Sequence, residues 1–360
     1  MNLIERHQQQ RMGQWLMVCC FVLFLLVMLG GATRLTGSGL SMVEWEPVTG
    51  IIPPTSEATW MREFEAYRQS PEYQKVNRGM SLDEFKVIYW FEFGHRLLAR
   101  SLGLVFALPL AWFWWRGWVP RRLRWPLLGL LGLGALQGWM GWYMVQSGLV
   151  DIPRVSPYRL AAHLSLALLI FAFMFRLGLG LLLPAPQRRH PMRRWTVALI
   201  ALTALTIFIG AFVAGLRAGF VYNDFPLMAG QWIPDGILGL EPLWRNFFEN
   251  TATVQFMHRV LALTTLAVAI AAWWRHRNAR GIGRGDQLAF HLMLAAVLAQ
   301  VVLGITTLML YVPVTLGTLH QGVAVLVLAA VLGVDYRVRH ARESQAHQGR
   351  LTPTAASSAQ

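Results

Sequence analysis

The residues best suited to chemistry in this chain are four histidines that recur in two matched sets. His95 lies in Phe93-Gly94-His95-Arg96-Leu97-Leu98-Ala99, and His258 in Phe256-Met257-His258-Arg259-Val260-Leu261-Ala262. A glutamine follows each after 42 residues: Gln137, with Gly138 and Gly141 behind it, and Gln300, with Gly304 behind it. A second histidine closes each set, in Ala162-His163-Leu164 and in Leu319-His320-Gln321. Imidazole is a common metal ligand, and two imidazoles on opposite faces of a flat apolar macrocycle are what haem iron accepts. Zinc is a weaker match, because no carboxylate or thiolate completes a tetrahedral set in both halves. The plainer alternative is that each histidine hydrogen-bonds a neighbouring helix. Repetition at four matched positions favours ligation.

Long apolar runs must position these residues. Runs of about 20 residues read as membrane helices. The chain has eight, near 14–33, 91–115, 125–145, 160–183, 195–215, 253–274, 287–310 and 316–336. The first has no small-residue cleavage site after it and reads as an uncleaved span. Spans one to four resemble spans five to eight, and four is even, so the halves share one orientation. The predicted fold is an all-α integral membrane protein, with eight transmembrane helices as two parallel-repeat four-helix bundles. The N-terminal bundle covers 14–183, including a loop at 34–84, and the C-terminal bundle covers 195–337. Residues 1–13 and a disordered polar tail at 338–360 flank them.

Composition agrees. Hydrophobic residues make up 55% and charged residues 14%, whereas soluble domains carry about a quarter charged. Segments 1–13, 116–124, 184–194, 275–284 and 337–360 hold 18 Lys and Arg, against 8 in the segments on the opposite side. By the positive-inside rule both termini are cytoplasmic, in a cell inner membrane, with lipid as the surrounding partner. The net charge of +14 therefore needs no nucleic acid. Cys19 and Cys20 are adjacent in an apolar run and form neither a disulfide framework nor a CxxC motif.

Each of the four histidines stands near the outer start of an even-numbered span, so all four lie at one depth and pair within each half. Arg96 and Arg259 follow their histidines; they either meet haem propionates or snorkel to the surface. His7, His190, His276, His340 and His347 fall in cytoplasmic segments and read as solvated, while His291 has no repeat partner. The halves differ at one position. Glu92 precedes His95 by three residues, and Gln255 precedes His258 by three, on the same helical face. Glu92 is either an acid or base beside the N-terminal site or the ion-pair partner of Arg96. The N-terminal half is thus the candidate for chemistry, and the C-terminal half for a permanent electron-transfer haem.

These residues resemble the haem A synthase family over about 14–337. The resemblance rests on the run from Gly31 to Ser41 (GATRLTGSGLS), on Glu92-Phe93-Gly94-His95-Arg96, on Phe256-Met257-His258-Arg259, and on the segments around His163 and His320. It implies oxidation of a ring methyl of haem O, through hydroxymethyl, to the formyl group of haem A for cytochrome oxidase biogenesis. His95 and His163 would hold the substrate haem, His258 and His320 the iron of a haem b cofactor, and Glu92 the catalytic position. The absence of an outer-loop cysteine pair places the chain with the cysteine-free branch of proteobacteria and mitochondria. A haem O synthase and cytochrome oxidase assembly factors are the expected partners. The electron acceptor is external, since no flavin or nicotinamide fingerprint is present.

Two other readings use the same histidines. A quinol-linked di-haem b electron-transfer protein would hold two unchanging haems, with stacking at two depths rather than one. A haem-handling transporter or chaperone would bind haem without converting it, and would need an intramembrane polar pathway that spans three, five and seven do not offer beyond Gln137 and Gln300.

Overall fold

The computed structural model describes residues 3–45, 50–149, 154–183, 192–277 and 284–339. The apolar runs become helices longer than the runs themselves. In chain order these are α1 (Leu3–Leu35), α2 (Glu57–Arg68), α3 (Pro71–Lys75), α4 (Leu82–Trp115), α5 (Arg121–Gly148), α6 (Pro157–Leu182), α7 (Arg193–Gly215), α8 (Asn246–Glu249), α9 (Thr251–His276), α10 (Arg284–Met309) and α11 (Val314–Val338). No strand is present among the described residues, so the all-α expectation stands.

Seven helices are long and apolar enough to cross a membrane, which makes this a multi-pass membrane protein. Eight were expected. The third expected span falls in α5, a continuous helix of 28 residues that is not one of the seven. Six glycines, Gln137 and Gln146 dilute its hydropathy. The polar tail from Glu343 lies outside the described residues.

Local chemistry sets the helix ends. α4 begins at Leu82, well before its apolar run, because Ser81 and Glu84 form a capping box. Asn250 caps α9 by accepting from the N–H groups of Ala252 and Thr253. α1 stops at Gly37, whose φ of +70° suits glycine, while the Ser38 N–H returns to Thr33 O at 2.8 Å. That turn sends the following residues back across α4.

Two sets of neighbours result. α1 packs on α4 and α6, and α5 packs on both of those; α7 packs on α9 and α11, and α10 packs on both of those. Contacts of α1 with α11, and of α6 with α7 and α11, join the sets. Met12, Leu16, Cys19, Leu23, Phe171 and Met174 lie in the core of the first set, and Leu199, Phe290, Met293 and Val331 in that of the second. At the end away from the long loops, fully buried Asp335 accepts from Arg176 (2.8 Å), Thr196 (2.8 Å) and Arg339 (3.1 Å), tying α6, α7 and α11 together.

His276 overturns the solvated reading. It is buried and stacks on Phe290 at 4.4 Å, because α10 lays that ring against the end of α9.

Candidate functional site

All four repeated histidines sit near the loop-bearing end, half-buried, each against a glycine of a neighbouring helix. A Cβ on Gly30 would lie 3.0 Å from His95 Nε2, and one on Gly141 3.2 Å from His163 Cε1. In the second set the corresponding distances are 2.9 Å from Gly210 to His258 Cε1 and 2.8 Å from Gly304 to His320 Cε1. Absence of a side chain is what lets each imidazole approach the next helix so closely, edge first. The helices that carry His95 and His163, α4 and α6, both pack on α1 and α5, and those that carry His258 and His320, α9 and α11, both pack on α7 and α10, so each pair belongs to one helix set.

The two glutamines perform the same task. Gln137 Nε2 donates to the main-chain O of His163 at 3.1 Å and lies 3.2 Å from its Nδ1. Gln300 Nε2 donates to His320 O at 3.1 Å and lies 3.4 Å from its Nε2. His258 Nδ1 is 3.1 Å from Thr206 O. As the donor there, Nδ1 leaves Nε2 free to act as a ligand. His320 Nδ1 and the amide oxygens of Gln137 and Gln300 are buried with no partner. A cavity of about 50 Å³ lies among Thr203, Thr206, Thr265, Gln300 and Val327. Among the described residues no three His, Cys, Asp or Glu side chains gather to hold a bare metal ion. Paired imidazoles with glycine seats instead fit an iron whose remaining ligands come from a flat macrocycle.

Beside the first pair, Glu92 is buried and fully engaged. Its Oε2 accepts from Ser41 Oγ at 2.7 Å and from the Met42 N–H at 2.9 Å, and its Oε1 accepts from Arg96 Nη2 at 2.6 Å. Arg96 also donates to Met42 O (2.9 Å) and Glu44 O (3.1 Å), and its guanidinium lies 5.2 Å from the Trp45 ring centre. The Glu92–Arg96 ion pair therefore exists, and Arg96 neither snorkels nor stands free for a ligand. The second set grips its own loop without a carboxylate. Gln255 Nε2 donates to Ala218 O and Tyr222 O, and Arg259 to Tyr222 O and Leu227 O. Both arginines that the sequence offered to propionates are thus bonded to their loops, although Arg259 keeps a buried Nε with no partner.

A helical cover packs on the loop-bearing end of α4, beside Glu92. Phe64 and Tyr67 of α2 pack on Phe85 and Tyr89 of α4, in one apolar cluster with Met42. Glu72 of α3 is buried there and accepts from Tyr67 Oη at 3.3 Å. Burial, and then the charge of Glu92, push its carboxyl up to about 7, against the opposing Tyr67 hydrogen bond.

Sequence reasoning named Gly141 and Gly304 beside their glutamines without giving them a role, and did not single out Gly30, Gly210, Thr206 or the hold of Ser41 and Met42 on Glu92. Gly141 and Gly304 each follow their glutamine by four residues, which was a readable signal. Gly30 and Gly210 stand in no repeated motif.

The family described as cytochrome oxidase assembly protein matches residues 13–332. A protein named Heme A synthase from Nitrosospira multiformis is 48% identical over 336 residues, covering 92% of this chain and 94% of that one. One of the same name from Rhodospirillum centenum is 51% identical over 321 residues, covering 88% and 85%.

Proposed function

The chain belongs to the family of cytochrome oxidase assembly proteins, and from that premise we propose how its residues do their work. It functions in haem A synthesis, as an oxidoreductase acting on haem O. The reaction we assign is oxidation of a ring methyl of haem O to a formyl group. His95 and His163 hold the iron of this substrate, leaving the ring edge open to reaction. His258 and His320 hold a haem b, which supplies one-electron transfer when bound. The observation that carries this division is the asymmetry at one register position: Glu92 beside the first pair, Gln255 beside the second.

Glu92 acts mainly as a fixed negative charge. Three donors occupy its two oxygens, so it is preorganised to stabilise positive charge developing at the reacting carbon. Deprotonating a water would require it to release one of those donors. Ser41 and Met42 hold the carboxylate in place, and the α2–α3 cover packs its apolar cluster beside them. In the second set, the glycine seats, the Thr206 hydrogen bond and the unpartnered His320 Nδ1 fit a bound haem b.

The architecture we infer is eight spans in two parallel-repeat bundles, with α5 as the eighth. The matched histidine–glycine and glutamine–histidine contacts, and the two sets of helix neighbours, support it. Arginine distribution supports cytoplasmic termini in the inner membrane. The deciding experiment is extraction and mass analysis of haems from purified protein. Haem b together with haem O, a hydroxylated form or haem A is expected, with haem b lost in His258→Ala. Two unaltered haem b groups per chain, unaffected by Glu92→Gln, would establish the electron-transfer reading instead.

A further inference from the structure

Three arginines converge at the loop-bearing end of the seam between the two helix sets. Arg34, in the last turn of α1, donates to Ala214 O. Arg154, just ahead of α6, donates from Nη2 to Gly215 O at 2.7 Å. Arg217 occupies the same turn, with a φ of 55° and its N–H 3.1 Å from Ala214 O. The charges of Arg154 and Arg217 bear on that of Arg34 and repel it. Among the described residues none of the three forms an ion pair with Asp or Glu. The carbonyls at the α7 C-terminus offset only part of this charge. A guanidinium carries five N–H donors, and one bond apiece from the Arg34 and Arg154 guanidiniums leaves most of each fork open.

Their position relates to the histidines. Gly30, the seat of His95, precedes Arg34 by four residues, and Gly210, the seat of His258, precedes Ala214 by four. Four residues rise roughly 6 Å, a little over one helical turn. The cationic cluster therefore stands one turn toward the loops from a histidine seat in each set. Arg96 and Arg259 bond to their loops through most of their donors, whereas this cluster lies at the seam that both sets share.

We propose that Arg34, Arg154 and Arg217 form an oxyanion site that takes the carboxylates of bound haem. The proposal rests on the reading of the histidine pairs as haem ligands. Guanidinium forks match carboxylates in bidentate geometry, and the propionates share one edge of the macrocycle, so a cationic cluster one turn from the histidine seats would select the orientation that brings that edge to it. A lipid phosphate offers the same oxyanion chemistry from a different source.

The test uses the full chain in detergent, produced in haem-limited cells and titrated spectroscopically with haem and with haem dimethyl ester, whose carboxylates are blocked. Wild type is expected to bind the free acid at least tenfold more tightly than the ester. In Arg154→Gln/Arg217→Gln that preference should fall below threefold with ester affinity unchanged, which also shows that the variant is folded. Arg34→Gln should act in the same direction. Equal affinities in wild type, or full preference retained in the double variant, would overturn the proposal. It also fails if phosphatidylglycerol raises the melting temperature of wild type but not of the variant while haem preference is identical in both; the cluster is then a headgroup site. If wild type binds neither form, the histidine reading itself has failed.

Discussion

Replacing Glu92 by Gln tests the centre of the mechanism, because the substitution keeps shape and removes charge. Two arrangements are open to the amide. With its oxygen toward Ser41 and Met42, its NH2 faces the Arg96 nitrogen that now lies 2.6 Å from a carboxylate oxygen. Turned round, it opposes the Met42 N–H, now at 2.9 Å. Either way one donor meets another. A hydrogen bond to a charged group contributes about 1.5–3 kcal/mol, and stranding one partner of a buried ion pair costs about 3–5 kcal/mol. Gln255 shows how the second set accommodates an amide: its loop presents carbonyls to it. The first loop presents donors, so the same residue does not fit there. Removing a preorganised stabilising group slows turnover by about 10²–10³-fold. The expected result is haem O still bound in Glu92→Gln, with haem A formation reduced by that factor, read by haem extraction. Arg96→Gln separates positioning from chemistry, since it frees the loop but keeps the carboxylate; its larger effect should be on haem O retention. Conversion by Glu92→Gln within threefold of wild type would refute the argument. So would identical loss of haem O in both variants, which would reduce Glu92 to a loop anchor.

Three further outcomes follow from contacts described above. In Gly304→Ala the new Cβ would stand 2.8 Å from His320 Cε1, an overpacking that costs about 1–3 kcal/mol; visible spectra should show haem b lost, with a milder effect of Gly141→Ala on haem O, and unchanged spectra in both would dismiss the glycine seats. The cover over the first site should loosen as pH rises from about 4.5 to 7. The folded state holds the Glu72 proton more tightly than the unfolded chain, so the contribution of that group is full below the unfolded value and is lost as pH climbs through the folded one. Hydrogen exchange over 57–80, corrected for intrinsic rates, should follow this trend in wild type and be flat in Glu72→Gln. Asp335→Asn, at a fully buried site with three donors, should lower the melting temperature far more than Asp286→Asn, whose partner Arg337 is 42% exposed; equal shifts would contradict the assigned burial.

The all-α class and the helical positions of the four histidines were legible because length and apolarity are local properties. α5 shows the limit of that rule: it is helical over its whole length, yet its glycines and glutamines dilute the hydropathy, and of the six glycines only Gly141 and Gly148 meet another segment. Glycine seats are invisible to hydropathy, since a missing side chain matters only when another helix arrives. Arg96 could be listed with two fates from sequence, but its true partners lie on a loop some 50 residues upstream that Gly37 turns back. His276 looked solvated because Phe290, which covers it, belongs to the next helix.

The packing of α1 carries a consequence for biosynthesis. Gln321 donates to Val27 O across 294 residues at 2.8 Å, beside Gly31, while the adjacent Gly30 seats His95. α1 is made early and α11 late. Until α11 enters the membrane, the glycine face of α1 has lipid in place of its partner, although α4 has already delivered His95 to the same turn. The first site can thus be assembled before the second, but α1 is locked only when the second is complete. Stopping translation before α11 would leave a chain able to gather one histidine pair yet loose at the helix that both sets share.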